Sequence, residues 1–167
     1  MTLVEYVRFG VAHSTWALRE LIARAETLPA QKTEEDLGIG PGSLRVNIAH
    51  TVEAMLFFAD CFAGRNYVEP SDFQTESASL AGLRNLADQA GANLRRSMIE
   101  ACELGLPTII AWPGTDAPAM PAPAAVAQVF DHATLHCAQA VNMLKRLGVR
   151  PVPDLDPMTF QSTGLPW

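Results

Sequence analysis

The chain has 167 residues, 49% of them hydrophobic, enough for one domain spanning residues 1–167 around a sizeable core. Its formal net charge of −6, with no basic run of five or more residues, argues against nucleic acid or an anionic membrane as a partner. No stretch approaches the ~18–20 apolar residues of a spanning helix, and the opening MTLVEYVRFG carries charges where a leader would need its apolar run.

Cys61, Cys102 and Cys137 are odd in number and far apart, with no CxxC, so no disulfide framework is expected. The expectation is a cytoplasmic protein. Along the chain, Val4, Val7, Val11, Ser14, Leu18, Leu21, Ala25 and Leu28 recur in steps of three and four. That spacing predicts a first helix with one apolar seam, closed by Pro29. Ser14 is the polar exception in the seam, and the neighbouring His13 reads as a surface or core-edge group. Residues 30–42, polar and rich in Gly, read as a loop.

Ser43 is a good N-cap for a second helix over Leu44–Phe62, which Gly64 ends. His50 shares an apolar face there with Val46, Ala54, Phe57 and Cys61, while Asn47 and Glu53 flank it one turn away on either side. A long connection follows over 65–75. Leu80, Leu83, Ala87, Ala90 and Leu94 then predict a third helix from about Ser77 to Glu103. Leu104–Trp112 permits one short strand or an extended segment. The proline-rich run 113–124 reads as a loop feeding the last helix, Val129–Val149, which Gly148 is placed to end. The tail after Gly148 has no period, although Phe160, Leu165 and Trp167 could pin it to a surface.

The expected fold is therefore all-α, an up-and-down four-helix bundle with long connecting loops. His132 and His136, four residues apart, lie one turn apart on a stripe with Val129, Gln139 and Met143. Buried imidazoles need partners, which either protein acceptors or a shared cation could supply. His50 adds a third ring from the second helix. Three neutral imidazoles with an open position suit a reactive metal centre, whereas structural sites close all four positions. Three independently satisfied core histidines remain the alternative.

The segments GPGSLRVNIAHTVEAM around His50 and FDHATLHCAQAVNMLKRLGV around His132 and His136 carry a family likeness. With the leading helix that ends in ETLPA and the acidic loop after it, the chain resembles the DinB/YfiT-like family over residues 4–155. The order is the specific part: a lone His on helix two, HxxxH late on helix four, then a Gly. The resemblance implies a four-helix bundle, often a homodimer, holding a divalent metal such as zinc or nickel. By that resemblance His50, His132 and His136 map onto the ligands. Many relatives read HxxxHRGQ where this chain has His136, Cys137, Ala138 and Gln139. The Gln stands, so Gln139 is a candidate to hold a ligand imidazole from behind.

Cys137 turns away from the histidine stripe, and Cys61 lies nearly three turns from His50, so neither reads as a ligand. Relatives in this family include metal-dependent transferases that use a low-molecular-weight thiol, and others linked to isomerisation or hydrolysis. A cation on three neutral ligands keeps its full charge and makes a nucleophile of water or thiol near neutral pH. Glu53, one turn from His50, is a candidate catalytic base. The functional expectation is a metal-dependent thiol S-transferase or hydrolase acting on a small molecule. Its alternative is a non-catalytic, stress-related dimer that binds metal or ligand. Both exclude nucleic acid and membrane as partners.

Overall fold

Four long helices carry the fold in the computed structural model, which describes residues 2–112, 114–116 and 118–167. The first, α1 (Leu3–Ala25), opens on a capping box. The Thr2 hydroxyl accepts from the Glu5 amide, and the Glu5 carboxylate accepts from the Thr2 amide at 2.6 Å. After the short α2 (Ala30–Thr33), α3 spans Leu44–Phe62, and Ser43 caps it by accepting from the Val46 amide. This helix has the limits that its sequence predicts.

The third long helix begins later than expected. Ser77 ends a separate short α4 (Phe73–Glu76), while Ser79 caps α5 (Leu80–Glu103) by accepting from the Gly82 amide at 3.0 Å. Two serines two residues apart both offer a cap, and the chain uses the second for the long helix.

The proline-rich run is more ordered than expected. Met120–Pro121 forms β2, antiparallel to β1 (Ile109–Ile110), with Ile109 opposite Pro121 and Ile110 opposite Met120. The last long helix, α6 (Ala122–Arg146), then starts seven residues before the position its apolar period suggests. Pro121 is its N-cap and Pro123 sits in its first turn, where a missing N–H breaks no helical bond. Prolines that read as helix breakers are here helix starters. Pro113 and Ala117, within the same expected loop, lie outside the described residues. At the other end Gly148 adopts φ 87°, the left-handed closure expected of it.

The packing order is not sequential. Helix α5 packs on both α1 and α3, and α6 packs on the same two, so the four close a ring in which α1 and α3 face each other across the core. Two of the three consecutive pairs of long helices, α1 with α3 and α5 with α6, therefore lie diagonally, which accounts for the long connections 26–43 and 104–121, while α3 and α5 are neighbours. Leu18, Ile48, Leu83, Leu94, Met98 and Met143 fill the interior. Exposed ion pairs such as Arg19–Asp88 and Arg84–Glu26 tie α5 to α1 and to the residue after it. Each contributes only about 0–1 kcal/mol, so the apolar core decides stability. Close approach of α1 and α6 also depends on Gly10, because a Cβ there would meet the Phe130 ring at 2.6 Å.

Of the three residues expected to pin the tail, Phe160 is buried and Trp167 makes a surface contact. Asp156 caps α7 (Pro157–Ser162), whose Phe160 is buried against Phe9 and Trp16. Leu165 and Trp167 stay 48% and 40% exposed, although Trp167 touches the Phe9 ring edge-on. Among the described residues, no helix is long and apolar enough to cross a membrane.

Candidate metal centre

Helices α3 and α6 pack directly, and their contact brings the three predicted histidines together. One ring nitrogen from each of His50, His132 and His136 lies within 4.8 Å of the others. The ring centroids are 4.4–5.2 Å apart: 4.6 Å for His50–His136, 5.2 Å for His50–His132 and 4.4 Å for His132–His136. His136 is buried, while His50 and His132 are half-buried.

Burial and the neighbouring rings favour the neutral form of His132 and His136. Burial pushes the His132 pKa down to about 4, and the neighbouring His136 and His50 rings push the same way. His136 is also lowered, first by burial and then by His50, with a hydrogen bond to Gln139 acting in the opposite direction. Neutral imidazoles are the form that ligates metal. The donor set fits a borderline divalent cation such as zinc or nickel. Tetrahedral zinc at roughly 2.0–2.1 Å from each nitrogen would place donors about 3.3 Å apart, within side-chain adjustment of what is observed.

Behind the cluster stands a contact that sequence reasoning did not single out. Asn47, 1% exposed, donates from Nδ2 to the Gln139 Oε1 at 3.0 Å and lies 3.4 Å from His136 Nδ1. The signal was present, since Asn47 lies one turn before His50, but only packing shows that it faces His136. With Nδ1 of His136 on the Asn47–Gln139 side, Nε2 is the atom left to face a cation. Gln139 thus lies beside His136 and Asn47, and Gly40 packs against it from outside. A Cβ at Gly40, whose φ is 50°, would overlap Gln139 Oε1.

In front of the cluster is a cavity of about 690 Å³, lined by His50, His132 and Glu53 and walled by Phe57, Phe58, Tyr67 and Trp112. Glu53 thus shares the cavity with two of the three histidines, as a base would need to. Cys137 and Cys61 are buried away from it, their thiols raised to about 12, chiefly by desolvation. His13 is a core-edge residue of a different region: Nε2 lies 2.8 Å from the Leu155 carbonyl, and its ring packs on Trp16 and Phe160.

The sequence profile of the DinB family matches residues 10–163, nearly the whole chain and all three histidines. The chain belongs to the DinB family. No curated protein matches it significantly. Within this DinB chain the histidines are the one group of three or more His, Cys, Asp or Glu, among the described residues, arranged to hold a metal ion.

The lowered His132 pKa sets a pH dependence for the metal-free protein. Its folded value of about 4 lies below the ordinary 6.5, so between those values the unfolded chain takes up a proton that the folded one refuses. Stability is thus complete above about pH 6.5 and falls as pH drops towards 4. Thermal melts in chelator from pH 7.5 to 4.5 should show this loss, and His132→Gln should flatten the slope. Parallel slopes for the two proteins would contradict the assignment.

Proposed function

We propose that this chain is a divalent-metal-dependent enzyme, a thiol S-transferase or hydrolase, acting on a small molecule held in the cavity beside the three histidines. One observation carries the reading: His50 and His132 line a cavity of about 690 Å³ instead of being sealed in the core. That volume is in the range of small-molecule sites. No Cys, Asp or Glu joins the histidine cluster among the described residues, as a closed structural site would require.

In this reading His50, His132 and His136 hold the cation. A divalent ion there supplies Lewis acidity towards a water or thiol near neutral pH. The chain's own residues do the rest. Asn47 and Gln139 fix the His136 ring, Glu53 takes the proton of the attacking group, and the aromatic walls exclude water. Zinc and nickel suit the imidazole donors, and family resemblance supports a homodimer.

Purified protein should bind close to one zinc or nickel ion per chain. His132→Ala or His136→Ala should abolish tight binding, because two imidazoles hold a divalent ion weakly. Unchanged metal content in both variants would sink the metal centre.

A graded effect separates orientation from ligation. Asn47→Leu should keep the fold yet weaken metal affinity by about 10–100-fold, the usual cost of losing a group that orients a ligand. Titration calorimetry that gives wild-type affinity would remove Asn47 from the site. Activity is tested by screening metal-loaded and chelated protein for conjugation of low-molecular-weight thiols to electrophiles and for ester hydrolysis. Turnover should need metal and fall in Glu53→Gln with metal still bound. Metal-loaded protein inert in both screens would favour the non-catalytic reading. Light scattering at micromolar concentration should give a dimer mass, and a monomer mass would end that part of the proposal.

A further inference from the structure

The wall of the cavity identifies what kind of molecule the site accepts. Phe58 stands edge-on to His132 at 5.7 Å and 84°, and edge-on again to Trp112 at 5.7 Å and 66°. Phe57 lies nearly parallel to Trp112 at 6.1 Å and meets Tyr67 edge-on at 5.8 Å. The aromatic surface is therefore continuous with the histidine cluster. Because its rings contact one another, they form a continuous wall. A planar apolar body gains most from such a surface.

A second observation is independent of the wall. Tyr67 lines the same cavity, yet its hydroxyl is shielded from water and has no hydrogen-bond partner among the described residues. Buried hydroxyls are normally paired, and one left single in a binding cavity marks where a ligand atom completes the pair. Burial, and then the nearby Glu53 carboxylate, raises the pKa of this phenol, so it stays protonated and is a donor. Its O–H is the group without a partner, and an acceptor on the ligand would satisfy it.

We propose that the site takes an aromatic or similarly planar apolar molecule whose head group reaches the histidine cluster and whose body, seated on Phe57, Phe58 and Trp112, presents a hydrogen-bond acceptor to Tyr67. This rests on the metal-centre reading above and names the substrate class of that site. The cavity of about 690 Å³ holds a ring and its substituents comfortably, where a two-carbon metabolite would leave most of it unfilled.

Hydroxamates supply the head group without turnover. Zinc-loaded protein is titrated with acetohydroxamate, benzohydroxamate and the three isomers of methoxybenzohydroxamate, which carry an acceptor around the ring. Benzohydroxamate should bind at least tenfold more tightly than acetohydroxamate. Phe57→Leu and Trp112→Ala should narrow that gap while leaving zinc content and acetohydroxamate affinity unchanged; Phe57→Leu is the milder change should Trp112→Ala not fold. At least one methoxy isomer should bind more tightly than benzohydroxamate and lose roughly tenfold in Tyr67→Phe, the value of one hydrogen bond to a buried donor. Equal affinity of the methyl and phenyl probes, with one zinc bound, would overturn the aromatic assignment and leave the metal centre standing. Tyr67→Phe that raises the melting temperature but changes no affinity would make the lone hydroxyl a packing cost and overturn its role. Failure to bind zinc at all would instead strike the underlying reading.

Discussion

Three imidazoles have ring nitrogens within 4.8 Å of one another, partly out of water, and that crowding penalises positive charge on His132 and His136. That constraint governs the site. Burial disfavours protonation of His132 and His136, the neighbouring rings add to the effect, and the lone pairs of both are left ready to meet a cation. Such an arrangement is costly for a chain that uses its histidines only as packing, because buried polar rings need partners. The protein partners visible around the cluster, Asn47 and Gln139, stand on the His136 side. The opposite side opens to the cavity.

Everything that fixes α3 against α6 serves the cluster, since His50 rides on one helix and the HxxxH pair on the other. The ring order of the helices matters here. Because α1 and α5 each pack on a neighbour to either side, α3 and α6 become adjacent without being joined by a short turn. The connection that leaves α3 and the one that enters α6 are free to build the cavity instead. Tyr67 comes from the segment after α3, and Trp112 from the segment between β1 and β2. The bundle thus supplies the histidines together with Phe57 and Phe58 of the wall, and the connections complete that wall with Tyr67 and Trp112.

This division also explains what the sequence revealed. The histidines were legible because helical periodicity places them: His132 and His136 share a stripe whatever the tertiary fold, and His50 sits on an apolar face of a helix with clear caps. Helix α3 matched its predicted limits because Ser43 and Gly64 bracket it. Asn47 was visible only as a neighbour of His50, since its contact with Gln139 joins helices far apart in sequence. Tyr67 and Trp112 carried no period at all, and nothing local showed that they converge. The start of α6 was misjudged for a physical reason, as proline is disfavoured inside a helix yet well suited to its first turn. The diagonal order of helices was beyond reach, because apolar seams say that a helix is buried and not against which neighbour.

The cysteines narrow the chemistry further. Cys61 and Cys137 are pushed up to about 12, and Cys102 is raised by burial and by Glu103, so all three are thiols near neutral pH. A thiol is a far poorer nucleophile than a thiolate. None of the three lines the cavity beside the histidines. In a transferase acting on sulfur, the attacking atom would then come from a separate small molecule, and the chain's part would be to lower its pKa, receive its proton and hold the acceptor. A hydrolase would ask the same of water. The two chemistries thus need the same residues, and the choice between them falls to the shape and polarity of the cavity. On the proposed reading, specificity would then rest with Phe57, Tyr67 and Trp112, which line the cavity outside the histidine motif that marks the family likeness.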